Sequence, residues 1–373
     1  MTKRHAEIVG AGFAGLTAAC ALAQRGWSVR VHERADALRT TGAGIYIYEN
    51  GLRVLEALGA YESAVKGAPF AHTREVRDDH NNVVSVHRWG GSRVYSIVRQ
   101  TVINALAEQA RKAGAEIVTN SVGAIASAGG ELMTAKGQKY KADLIVAADG
   151  ANSRLRDAFD LIEKRKALVD GCTRLLIAKT SEERLSVQGA TTIEYWSGSR
   201  RVLYTPCSET EVYIALVMLD SDEVAKATPV DKAAWTRWFP HLAPLIDRLG
   251  VEGRYDRFEL IRLKRWSEGK VAVIGDAAHA LPPNIGQGGG CAMMNALALA
   301  VHLDRDKDVP KALAAWERAE RPITDHTQRV SVALGWPATW PPKLRALALS
   351  LAGKSKWVVK QRTKTALHHP TGT

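Results

Sequence analysis

The sequence predicts an α/β fold in which a helix-covered parallel sheet is interrupted by a second, mixed or antiparallel sheet. Three observations carry this. Short apolar runs alternate with helical segments from Ala6 to Ala147, β-rich runs between polar turns take over from Arg174 to Val217, and the alternation returns at Lys270. Alternating strands and helices build parallel sheets, whereas successive short strands build antiparallel ones. With 373 residues, 46% hydrophobic and 24% charged, the chain is long and apolar enough for two such units.

Taken in order, Ala6–Val9 reads as a buried strand, Phe13–Gln24 as an Ala/Leu-rich helix and Ser28–His32 as a second strand. A helix is expected near Asn50–Leu58, and an amphipathic one over Thr101–Ala113, followed by strands at Glu116–Thr119 and Asp143–Ala147. The middle offers strands at Arg174–Ala178, Thr191–Tyr195, Val202–Tyr204 and Val212–Val217, with a Trp-rich helix near Asp231–Trp238. After Lys270 two long helices are expected through Arg329.

Composition narrows the function classes. No run of 18 apolar residues occurs, so no membrane span is expected, and the apolar N-terminal stretch lacks a signal peptide's cleavage pattern. The four cysteines are scattered, which argues against a zinc site or disulfide framework and for a reducing cytoplasm. The formal charge of +12 suits an anionic membrane or small anions, and without a nucleic-acid reader module nucleic acid is not an expected partner.

Gly10, Gly12 and Gly15 form G-x-G-x-x-G between the first strand and its helix, with Phe13 and Ala14 inside the motif. Gly10 permits the tight turn, Gly12 lets backbone touch a pyrophosphate, and Gly15 lets helix pack on strand. The helix N-terminus offers free N–H groups to phosphate. Glu33 ends the second strand, where a carboxylate can accept ribose hydroxyls, and Arg34 follows it. Asp149-Gly150 and Asp276 end two later strands in the same way. Three strand-end carboxylates far apart in sequence suit a long ligand with a polyol arm, which FAD has and NAD lacks. A bare loop, Gly286–Gly290, follows Asp276.

These motifs resemble the class A, single-component flavoprotein aromatic hydroxylases of the p-hydroxybenzoate hydroxylase fold, and the resemblance covers residues 1 to about 330. It implies a Rossmann-like FAD-binding domain (1–72, 94–165 and 266–335) with an inserted mixed/antiparallel-sheet substrate domain (73–93 and 166–265) and a basic C-terminal helical tail (336–373). It further implies that Asp276 holds the ribitol and that Gly286, Gln287, Gly288 and Gly289 present N–H groups to the flavin. Gly44, Arg99 and Pro283 are implied to lie beside the cofactor, and Val122 near the adenine.

Within that family, GAGIYIYENGLRVLEALGA (42–60), RVLYTPCSETEVYIAL (201–216), RYDRFE (254–259) and RPITD (321–325) resemble the branch that hydroxylates and opens hydroxypyridinecarboxylate rings. The branch's pocket arginines and tyrosines are matched by Arg174, Arg201, Tyr213 and Tyr46. Arg74 and Phe258 stand where its pattern has tyrosines.

The implied chemistry is reduction of FAD by NAD(P)H, reaction with O2 to a C4a-hydroperoxide, and oxygen transfer to an electron-rich ring, so neither a metal nor a nucleophilic triad is needed. Arg174 and Arg201 are then expected to grip a ring carboxylate through charge-assisted bonds. The structural alternative for each is a strand arginine paired on a solvated face, and for Tyr46 and Tyr213 it is core packing. His279, Cys207, Cys291, Met293 and Met294 read as structural. With one G-x-G-x-x-G, nicotinamide has no Rossmann site of its own. Two other functions stay open: a hydroxylase of a neutral phenol or quinone precursor at a membrane surface, and a flavin-binding module without turnover. The tail is basic with an apolar stripe and is expected to be a solvated helix against the FAD-binding part, with surface membrane contact as the alternative.

Overall fold

The computed structural model describes residues 3–38, 43–89, 92–185 and 191–373. A six-stranded sheet runs in the order Ser267–Glu268, Val271–Val273, Leu144–Ala147, His5–Val9, Ser28–His32, Glu116–Val118, parallel except for its first strand. The helices Phe13–Gln24, Arg99–Lys112 and Gly288–Arg305 cover it and share one apolar core with it. Register decides what meets at its edge. Val9 pairs with Ala147 and Ala147 with Val273, so the turns at Gly10, Asp149 and Asp276 leave neighbouring strands at the same level. In parallel sheets the carboxyl ends of the strands are where ligands bind.

A seven-stranded sheet runs in the order Arg254–Leu263, Ile162–Ala178, Glu211–Leu219, Arg200–Pro206, Thr192–Ser197, Thr73–Arg77, Val83–Arg88. It is antiparallel except where Thr192 pairs with Arg74 in parallel register, so it is a mixed sheet. Side chains alternate between its faces. Leu175, Ile177, Val212, Ile214, Leu216 and Val202 face the helix Lys232–Trp238 and form a second core with Trp235 and Phe239. The alternate residues face the six-stranded sheet across a cavity.

The strand from Arg174 is longer than expected: it starts at Ile162 and is bent by irregularities between Ile162/Lys164 and Ala167/Gly171, which hid it from a periodicity reading. The two-stranded antiparallel sheet of Gly44–Tyr48 and Val94–Val98, which carries Tyr46, was also not foreseen. Arg99 is the first residue of its helix, not a residue ahead of it.

The tail corrects an expectation. It forms two helices, Pro342–Lys354 and Lys356–Thr363, with the Ser355 hydroxyl accepting from Val358 N between them. Rather than lying on one part alone, it contacts the seven-stranded-sheet part and the helices Glu49–Ala57 and Val309–Ala333 of the other. Arg345 donates to the Gly198 carbonyl and lies over the Trp196 ring, while Asn50 N donates to Ala366 O and Thr327 Oγ1 bonds Thr365 Oγ1. No helix among the described residues is long and apolar enough to cross a membrane.

Candidate functional site

The glycine turn is shaped by what surrounds it. A Cβ on Gly10, where φ is +103°, would sit 2.3 Å from Ala148 O, and one on Gly15 would sit 1.9 Å from Gly10 O. Both glycines hold backbone against backbone. Gly12 differs, because a Cβ there would meet nothing within 4 Å. That open volume lies at the N-terminus of Phe13–Gln24, which has no side-chain cap, so its free N–H groups face space rather than protein. Glu33 accepts from Ala11 N and Ala35 N, both at 2.9 Å, fixing its carboxylate beside this turn. Ser121 N donates to Glu33 O, which places Val122 next to the same end of the groove, and Arg34 is exposed beyond it.

Further along the groove, Asp149 accepts from Arg154 N through Oδ2, while its Oδ1 is buried without a partner among the described residues, and burial raises its pKa. The next residue, Gly150, faces the groove with φ at +85°. Asp276 begins a short helix with its carboxylate exposed and unbonded among the described residues. A Cβ on Gly275 would press on Ala14, which keeps this turn tight against the glycine motif. Beyond it, Pro283 opens a one-turn helix ended by Gly286 in the left-handed conformation, and Gly288 begins the long helix with nothing within 4 Å of its would-be Cβ. Gln287 is turned away: it is buried and accepts from Asn50 Nδ2 through Oε1, so only its backbone can face the groove. Gly289 packs near Ile45 and Phe13. Arg99 lies over the Phe13 ring, with its centre 4.9 Å from the ring centroid and its Nε buried and unpartnered.

This donor set fits a flavin dinucleotide. It offers two uncapped helix N-termini over bare glycines, a free carboxylate where a polyol would run, and an orphaned guanidinium nitrogen beside them.

The groove and the space beyond it form one continuous cavity of about 420 Å³. Strand alternation puts Cys172 and Arg174, Arg201 and Leu203, Tyr213, Ala215 and Val217, Thr192, Glu194 and Trp196, and Arg74 and Val76 on its wall. Tyr46 and Phe258 also line it, so all six expected substrate residues meet at one place. Gly44 makes that meeting possible, since a Cβ on it would lie 2.7 Å from the Tyr213 Cβ. Tyr46 bonds Thr205 Oγ1, and burial pushes its phenol up to about 12. Burial likewise raises Tyr213, which lies beside Arg174, so both phenols are protonated at neutral pH.

The arginines are not free. Arg201, buried, bonds Asp170 Oδ2 at 3.1 Å and Glu194 Oε1 at 3.4 Å, with its guanidinium 4.7 Å from the Trp196 ring centroid. Arg74 pairs with the other oxygen of Glu194, and Arg174 pairs with Asp256 at 2.9 Å. Burial would raise the Glu194 pKa, but the Arg74 and Arg201 charges outweigh it and hold Glu194 ionised. The sheet-wall arginines, expected from sequence to grip a ring carboxylate, are thus each paired with a carboxylate of the protein. These carboxylates were not foreseen, because strand register rather than sequence proximity supplies them.

Arg362, on the second tail helix, was also missed. It lines the cavity with no hydrogen bond or ion pair among the described residues. Burial and the neighbouring Arg74 push it down to about 10, which still leaves it charged at neutral pH. Leu349, Ala352, Val358 and Val359 of the tail complete an apolar end of the cavity. His279 faces elsewhere: it is buried, bonds Asn295 at 2.9 Å and is pushed down to about 4 by burial. All four cysteines are buried thiols.

Comparison with known proteins places this architecture. The FAD binding domain family matches residues 4–318. A candidate 2-heptyl-3-hydroxy-4(1H)-quinolone synthase of Rhodococcus erythropolis is 44% identical, over 99% of this chain and 97% of its own length. The 2-heptyl-3-hydroxy-4(1H)-quinolone synthase of Mycobacteroides abscessus is 42% identical, over 95% and 96%. The tetrameric form of 2-methyl-3-hydroxypyridine-5-carboxylic acid oxygenase superposes with a TM-score of 0.89 at 37% identity, over 99% of this chain and 98% of that one. The chain therefore belongs to the FAD binding domain family and is an FAD-dependent aromatic monooxygenase that uses NAD(P)H and O2.

Proposed function

We propose that this enzyme hydroxylates a neutral N-heteroaromatic ring bearing an apolar substituent, with a 2-alkyl-4-quinolone as the best-fitting class. One observation carries the reading: each arginine on the sheet wall is already matched by a carboxylate, in a cavity whose far end is aliphatic. An ionised substrate carboxylate seated against the sheet wall would have to displace one of those partners, whereas a neutral ring with an alkyl chain displaces none of them. The names of the two quinolone synthases point the same way.

In this reading Gly12 and the first helix hold the pyrophosphate, Glu33 the ribose, Asp276 the ribitol, and the Gly288 helix end the flavin edge. Bound there, the flavin supplies reducing equivalents and oxygen activation at the mouth of the cavity. The chain's own residues do the rest. Tyr213, kept protonated and oriented by Arg174, donates to the ring's oxygen and fixes its reacting carbon toward the flavin. Tyr46 and Phe258 set the ring plane, and Val217, Leu203 and Phe258 keep water from the reacting edge. Leu349, Val358 and Val359 take the alkyl chain.

A hydroxypyridinecarboxylate is the second reading, favoured by the unpaired Arg362 and by the likeness to the pyridine oxygenase. Substrate-stimulated NAD(P)H oxidation separates them. Along a 2-methyl to 2-heptyl quinolone series, KM is expected to fall about threefold to fourfold per methylene until the aliphatic end is full, from roughly 0.8 kcal/mol per buried CH2. Stimulation by hydroxypyridinecarboxylates with none by quinolones would establish the second reading instead.

A further inference from the structure

The two tail helices that wall the cavity on their inner side carry a different surface outside. On Pro342–Lys354, Leu344, Leu347 and Leu351 lie at i, i+3 and i+7, and are 58%, 57% and 58% exposed. That spacing makes one stripe of a helix. On Lys356–Thr363, Trp357 is 69% exposed, and Trp336 and Trp340 are exposed where the tail begins. Large apolar side chains grouped on an outer face mark an interaction surface more often than scattered ones do.

Charge says what kind of surface. From Pro341 onward the chain has seven cations and no acid. Both arginines turn inward, Arg345 onto Trp196 and Arg362 into the cavity, whereas Lys343, Lys354, Lys356, Lys360 and Lys364 are all exposed. Leucines for the acyl boundary, tryptophans for the headgroup level and lysines for anionic lipid make up an in-plane membrane-binding face. Two-fold pairing of this face with a second copy would set lysine against lysine with no acid of the tail to relieve them. We propose that the outer face of the tail docks on an anionic lipid surface, bringing the cavity wall to the membrane. This holds whichever ring is the substrate, and it gives an apolar substrate a route from the bilayer beneath the helices that enclose its site.

The test is co-sedimentation of the FAD-loaded protein with phosphatidylcholine vesicles with and without phosphatidylglycerol. Binding is expected with phosphatidylglycerol, weakening as salt rises, and little binding without it. Lys356→Gln/Lys360→Gln should weaken it on the order of tenfold or more, and Leu344→Glu/Leu351→Glu should abolish it. Both variants should keep FAD and their turnover of a short-chain substrate in vesicle-free buffer, since these side chains point away from the cavity. Absence of binding to anionic vesicles at low salt would overturn the proposal. So would a wild-type oligomer that Leu344→Glu/Leu351→Glu splits into smaller species, because a second copy would then be the occupant.

Discussion

A Gly12→Val protein is expected to fold with near wild-type thermal stability and to be colourless as purified, with FAD affinity lowered by at least about 100-fold. A Cβ at this position enters space where it meets no protein atom within 4 Å beyond its chain neighbours, so the substitution costs the fold little. That same space lies over the free N–H groups at the start of Phe13–Gln24, where a branched side chain holds a pyrophosphate off the helix end. Gly15→Val is the informative contrast. Its Cβ would lie 1.9 Å from Gly10 O, so it should unfold the turn itself and fail to accumulate as folded protein. Flavin absorbance and circular dichroism of the two variants distinguish loss of ligand from loss of fold. Wild-type flavin content in Gly12→Val would show that no phosphate lies at this helix end.

Arg201→Met is expected to lower unfolding free energy by about 3–5 kcal/mol, the usual cost of stranding buried charge. Met preserves most of the apolar contact but leaves Asp170 and Glu194, both largely buried, without their shared cation. Glu194 retains Arg74, whereas burial already raises the pKa of Asp170 and, among the described residues, Arg201 is the cation that opposes this. Adding Asp170→Asn to Arg201→Met should therefore recover part of the loss, whereas adding Glu194→Gln should not, because it strands Arg74; denaturant unfolding of the single and double variants measures the difference. If Arg201→Met instead keeps full stability and raises KM for ring carboxylates alone, Arg201 is a substrate-anion ligand, as first expected from sequence.

The pairing of Arg201 shows where sequence reading reaches and where it stops. The cofactor groove was legible because its chemistry is backbone chemistry. Gly10 and Gly15 are required by contacts to Ala148 and to each other, and Asp149 and Asp276 by their places at the ends of short apolar strands. Such requirements leave fixed spacings. The gathering of Tyr46, Arg74, Arg174, Arg201, Tyr213 and Phe258 was likewise readable through the family resemblance. The electrostatic state of the cavity was not. Asp256 lies 82 residues from Arg174 and Asp170 lies 31 from Arg201, and only strand register brings them together. The tail showed its apolar stripe and its charge, but nothing local indicates that Val358, Val359 and Arg362 turn inward while Trp357 and Lys360 turn out.

The central claim is that a neutral heteroaromatic ring lies against the flavin while its apolar substituent runs beneath the tail. Product mass from a reaction with 2-heptyl-4-quinolone, NAD(P)H and O2 tests it most directly. Gain of one oxygen atom on the ring, with NAD(P)H consumed in step with product, is the expected result. An unchanged quinolone, alongside a hydroxypyridinecarboxylate that gains oxygen under the same conditions, would contradict it.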